Sequence, residues 1–210
     1  MIFIYENNWR CKLDHPQIVK IPFDGEVKQV SAYNNFVKIH GNDFDWIGFI
    51  DIDEFLVLNK DENVNDFFKR FNHMSGVAVN WVIFGDNGLD EVIDNEYSVL
   101  KRFTKRQSET NIHIKSFINM KKSKNFFMLV HNPNMKISNQ SFQLFEGPFC
   151  NNCSTEFAQL NHYFCKTFEE FKEKADRGRA DSPKNRNYDE FHHLNFNEVE
   201  DLTAYNFIYK

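Results

Sequence analysis

No stretch of this chain is apolar for long enough to span a bilayer, and no basic-then-apolar leader opens it. No integral membrane segment is therefore expected, and the protein should be soluble and cytoplasmic, or peripheral at the inner membrane. Positive charge is in deficit too: 25 Lys and Arg stand against 30 Asp and Glu, for a net charge of −5. That balance argues against nucleic acid as a partner. Cysteine is scarce. Cys150 and Cys153 have Cys-x-x-Cys spacing, but Cys11 and Cys165 lie too far off to complete a zinc knuckle, so free thiols are expected. Neither an internal repeat nor a low-complexity tract is present.

What the chain has in plenty is aromatic bulk. Its 210 residues are 41% hydrophobic and include 24 Phe, which predicts one globular domain over 1–210 with a Phe-rich core. Apolar runs at Met1–Tyr5 and Ile18–Phe23 read as strands, the second with Pro22 at an edge or end. From Glu26 to Ile39 the positions Val27, Val30, Tyr33 or Asn34, and Val37 recur at helical spacing. Val64, Phe67, Phe68 and Phe71 make the face of a short helix. Gly76–Phe84, Tyr97–Phe103, Ile112–Ile118 and Phe126–Val130 read as strands, and residues 132–158 as a long irregular segment. Leu160–Phe164 is a short strand or turn. Thr167 and Glu170 then form a capping box for a helix that ends near Gly178.

The organising stretch is Trp46–Leu58, WIGFIDIDEFLVL. A β-branched and aromatic run reads as one buried strand, broken at its end by Asp51, Asp53 and Glu54. On an extended chain Asp51 and Asp53 project to the same side. Two converging carboxylates repel unless a cation sits between them. Oxygen ligands suit Mn²⁺ or Mg²⁺, and such a metal usually holds a diphosphate as well. The alternative is that the acids end the strand and face water.

In the order of its short motifs the chain resembles glycosyltransferase family 92 and the bacterial family-2-like enzymes related to it. The resemblance rests on Trp46-x-x-x-x-Asp51-x-Asp53-Glu54-Phe55-Leu56, and before it on Ile4-Tyr5-Glu6-Asn7-Asn8 and Gln29-x-x-x-Tyr33-Asn34. After it follow Trp81-x-x-Phe84-Gly85, Arg102-Phe103, Lys115, His131 and Leu160-Asn161-His162-Tyr163. The resemblance implies an α/β, GT-A-like fold, a mixed sheet flanked by helices. It divides the chain into a nucleotide- and metal-binding half over 1–58, an acceptor-side half over 59–181 and a C-terminal extension over 182–210. Glu6 and Trp9 replace an Asp and a Ser of the family's turn. The Asn-Glu motif that precedes this turn in the family has no counterpart before Met1, as in an N-terminally truncated member without the first strand. A homodimer, in which a partner chain fills that place, is one expectation.

The implied activity is metal-dependent transfer of a sugar, a hexosyl group foremost, from a nucleotide sugar to a glycan or other hydroxyl acceptor. A UDP-sugar is the favoured donor, inversion the expected outcome, and polysaccharide biosynthesis the expected setting. Asp51 and Asp53 are the implied metal ligands, joined by His162 because imidazole binds Mn²⁺. Tyr5, Asn7, Gln29 and Lys115 are expected at the nucleotide, with Lys115 or Arg102 adding positive charge at the diphosphate. An inverting transfer needs a carboxylate base at the acceptor hydroxyl. Asp86, on the turn after Gly76–Phe84, is the candidate, with Asp90 and Glu91 in reserve; its alternative role is that of a turn aspartate. Glu54 is expected to orient the metal-binding turn or to pair with a basic side chain. Two other readings stay open. One is a non-catalytic GT-A-like module that binds glycan or nucleotide. The other is a haloacid-dehalogenase-type phosphotransferase, against which Phe55 stands where Thr or Val is usual.

Overall fold

The first two strands, β1 (Ile2–Glu6) and β2 (Ile18–Pro22), pair in parallel, and the rings of Phe3 and Tyr5 meet Phe36 edge-on. Phe36 belongs to helix α1 (Gln29–His40). The computed structural model describes every residue except 7–11, 26, 93–95, 97 and 210. Strands β3 (Trp46–Gly48) and β4 (Glu54–Leu58) come next. Helix α2 (Val64–Arg70) follows, its N-terminus capped by the Asn63 side chain. After β5 (Gly76–Ile83) come the short helix α3 (Val99–Arg102), β6 (Lys105–Arg106) and β7 (Ile114–Asn119). Two-residue strands β8 (Ile137–Ser138) and β9 (Leu144–Phe145) interrupt the irregular segment. Strand β10 (Ala158–His162) leads into α4 (Phe168–Asp176), where the Thr167–Glu170 capping box is complete. The last elements are α5 (Asp189–Leu194), β11 (Val199–Glu200) and α6 (Thr203–Ile208).

The main sheet is mixed and runs β3-β7-β5-β10-β4, with β8 and β9 attached beside β5. Strands β3 and β4 therefore lie at opposite ends. The single strand expected over Trp46–Leu58 is two strands, and the residues between them must pass the ends of β7, β5 and β10. Charge explains the break, because one continuous strand would carry Asp51 and Asp53 into an apolar sheet. A turn closed by the Glu54 N–H on the Asp51 carbonyl, at 3.0 Å, keeps them at the rim.

Two other expected strands also differ. Residues 99–102 form a helical turn, because Leu100 must enter the core while Arg102 reaches Glu170. Phe126–Val130 is no strand, because the Asn34 side chain takes up both backbone groups of Met128 that a ladder would use.

Pairing register decides which side chains share a face. Val77, Val79 and Trp81 of β5 align with Phe117, Lys115 and His113. The same face continues through Leu160 and His162 of β10 to Leu56 and Glu54 of β4. At one end α2 covers it, with Phe67 and Phe71 packed on Val77, Val79, Phe117 and Leu160. At its other end stand Trp81, His113, Lys115, His162 and Glu54. Polar chemistry thus collects where the helix stops. The opposite face builds two further apolar clusters, around Val82 and Tyr163 and around Ala78 and Ile118. Among the described residues no helix is long and apolar enough to cross a membrane.

Candidate active site

Lys115 rises from β7 into complete burial, 0% exposed. Its Nζ lies 3.0 Å from Asp51 Oδ2 and 3.5 Å from Glu54 Oε2. Burial works to lower the ammonium's pKa, but Asp51 and Glu54 outweigh it and raise the value, so Lys115 stays charged. Burial pushes the Glu54 carboxyl up. The other oxygen of Asp51 accepts from Gln29 Nε2 at 2.7 Å, and Gln29 also donates to the Tyr33 hydroxyl. Glu54 Oε2 accepts the Asp51 N–H at 2.8 Å, which orients the acidic turn. At Asp51 the required cation is a lysine of the chain itself.

Asp53 has different neighbours. Its Oδ2 takes Lys174 Nζ of α4 at 2.6 Å, and its Oδ1 lies 3.8 Å from His162 Nε2. Burial opposes the charge on Asp53, yet His162 and Lys174 hold its carboxyl at about 2. Burial holds His162 down at about 4, which makes it neutral near pH 7. Lys174 is therefore the partner that keeps Asp53 ionised there. Lys174 also donates to the Phe164 carbonyl at 3.0 Å, so it is anchored at both ends of its reach.

Aromatic rings floor the site. Trp81 stacks on His113 with centroids 4.9 Å apart and meets His162 at 4.3 Å, while His131 stands edge-on at 5.2 Å. Burial pushes His131 down to about 4. Among the described residues the buried Glu54 Oε1, Trp81 Nε1 and His162 Nδ1 have no hydrogen-bond partner.

The fold brings together Asp51, Asp53, His162, Gln29 and Lys115, and gives Arg102, Asp86 and Tyr5 partners elsewhere. Lys115 and Arg102 are not free to meet a diphosphate. Lys115 is locked beneath Asp51, and Arg102 makes a two-pronged bond to Glu170 at 2.7 and 2.9 Å. Asp86 accepts from the Gly88 N–H and the side-chain amides of Asn195 and Asn197. Through the two asparagines it clasps the C-terminal segment. Tyr5 donates to Asn35 Oδ1 at 3.4 Å and packs on Phe23 and Phe36. Asn7 lies outside the described residues. Lys174 and Trp81 carry no site role in the sequence; Trp81 stands out there only by its place in the order of family-like motifs.

A divalent cation can be tested against these donors. Among the described residues no group of three or more His, Cys, Asp or Glu side chains gathers around one point. Asp53 Oδ1 and His162 Nε2 fit as a pair: 3.8 Å is too long for a hydrogen bond, but within the span of two ligands each about 2.1 Å from one ion. One is ionised and the other neutral, as ligands must be. Asp51 fits less well, since both its oxygens are taken.

The chain matches the family model of glycosyltransferase family 92 over residues 27–198, a span that holds every one of these contacts but those of Tyr5. No curated protein matches the sequence.

Proposed function

Because the chain belongs to glycosyltransferase family 92, we propose that it moves a sugar, foremost a hexose, from a nucleotide sugar to a hydroxyl of a glycan or similar acceptor. A UDP-sugar is the favoured donor, the transfer inverts the anomeric centre, and the product belongs to polysaccharide biosynthesis. The observation that carries this reading is the approach of Asp53 and His162 at the rim of the sheet.

Asp53 and His162 would hold Mn²⁺ or Mg²⁺, which supplies a Lewis acid for the charge that develops on a diphosphate leaving group. The chain's own groups prepare that place. Lys174 keeps Asp53 ionised and fixes its direction. Asp51 fastens α1, through Gln29, to β7, through Lys115, and so sets the position of the turn. Trp81, His113 and His131 offer ring faces beside His162, of the kind on which the apolar side of a sugar can rest.

A second reading, binding without turnover, is favoured by one observation: Asp51 and Asp53 each already carry a lysine. Release of UDP from UDP-glucose and UDP-galactose, with Mn²⁺ and a mixed glycan acceptor, separates the two. Metal-dependent release that Asp53→Ala abolishes supports transfer. Nucleotide binding with no release under any of these conditions supports the binding module.

A further inference from the structure

Beside Asp53, under the exposed Ile52 at the tip of the acidic turn, lies a cavity of about 110 Å³. Its wall is α4 with the residues just before it, including Lys166, Glu170, Glu173, Lys174 and Arg177. Glu170 is tied to Arg102, and Asp53 to Lys174. Among the described residues, Lys166 and Arg177 have no carboxylate within ion-pair distance, and Glu173 is the one acid of the wall left without a cation. Arg186 approaches from the next segment. Its guanidinium lies 5.6 Å over the Phe164 ring, the ring that Lys174 Nζ covers at 3.9 Å. Its Nε is buried and has no hydrogen-bond partner among the described residues. Arg179, the other arginine nearby, is occupied by Glu190 at 2.6 Å. Cations gathered beyond their carboxylates repel one another unless an anion completes the set.

We propose that this wall is a diphosphate subsite, in which Lys166, Arg177 and Arg186 take phosphate oxygens while Lys174 is shared between Asp53 and the anion. The assignment gives the leaving group the positive contacts that buried Lys115 and Arg102 cannot supply. A nucleotide sugar as the source of the diphosphate rests on the glycosyltransferase reading; the phosphate chemistry of the wall does not. Guanidinium and ammonium groups bind phosphate by charge-assisted hydrogen bonds.

Calorimetric titration of UDP, inorganic pyrophosphate and uridine into the chain, with and without Mg²⁺, tests it. The variants are Lys166→Gln/Arg177→Gln, Arg186→Gln and the charge-keeping Lys166→Arg/Arg177→Lys. Each neutral variant is expected to weaken UDP and pyrophosphate by about tenfold, and the charge-keeping variant by less than about threefold. Raised salt should weaken the wild type more than the neutral variants. If pyrophosphate binds in this charge-dependent way and UDP does not bind, the subsite stands and the nucleotide-sugar reading falls. The subsite is overturned if the wild type binds neither anion, if the neutral variants bind both as the wild type does, or if the charge-keeping variant loses as much as the neutral one.

Discussion

Lys115 and Asp51 meet at 3.0 Å although they lie 64 residues apart in sequence, and the ammonium is sealed from solvent. This pair joins β7 to the acidic turn and, through Gln29, to α1. A buried ion pair is weak evidence for net stability, but removing one partner strands the other.

Lys115→Met is therefore expected to lower the unfolding free energy at neutral pH by about 3 kcal/mol, read from urea denaturation. A loss below about 1 kcal/mol, the range of an exposed pair, would contradict the pairing.

The Arg102–Glu170 pair sets a pH dependence. Burial works to raise the Glu170 carboxyl, but the bonds from Arg102 outweigh it and hold the pKa below the ordinary 4.5. A carboxyl lowered in the fold adds stability above its unfolded value, and that stability is lost as pH falls through the folded value. Urea midpoints should thus fall below pH 4.5 in the wild type. Glu170→Gln should flatten that acid limb while costing about 3 kcal/mol at neutral pH.

Asp86→Ala tests the clasp. Losing its three accepted bonds from Gly88, Asn195 and Asn197 should cost about 1–3 kcal/mol and speed amide exchange in α5 and α6. UDP affinity should stay within about twofold. A selective loss of turnover with unchanged stability would instead identify Asp86 as the base.

Gly48 is required by packing. A Cβ there would sit 2.3 Å from Phe117 Cδ1, and Phe117 is part of the core under α2. Gly48→Ala should lower stability by about 1–3 kcal/mol in thermal or urea unfolding.

Much of this arrangement is legible in the sequence where signals are local. Phe67 and Phe71 mark α2, Thr167 and Glu170 mark the start of α4, and the alternation through Val77, Val79 and Trp81 marks the face of β5. Asp53 and His162 are legible as a pair because short motifs keep a family's order. Long-range partners are not legible. Nothing local tells that Lys115 lies beneath Asp51, or that Lys174 reaches back across 121 residues to Asp53. The split of Trp46–Leu58 is hidden for the same reason, since the two apolar halves look continuous until the sheet order separates them. A turn aspartate and a catalytic one share the same local pattern, so the bonds that Asp86 accepts from Asn195 and Asn197, more than 100 residues away, are not legible either.

The most direct test of the account is calorimetric titration of UDP with and without Mn²⁺ into the wild type, Asp53→Asn, His162→Ala and Asp51→Asn. Mn²⁺ is expected to tighten UDP binding by at least about tenfold in the wild type. Asp53→Asn and His162→Ala should lose this gain, and Asp51→Asn should keep it. A gain that survives in both Asp53→Asn and His162→Ala, or no gain in the wild type, would contradict it.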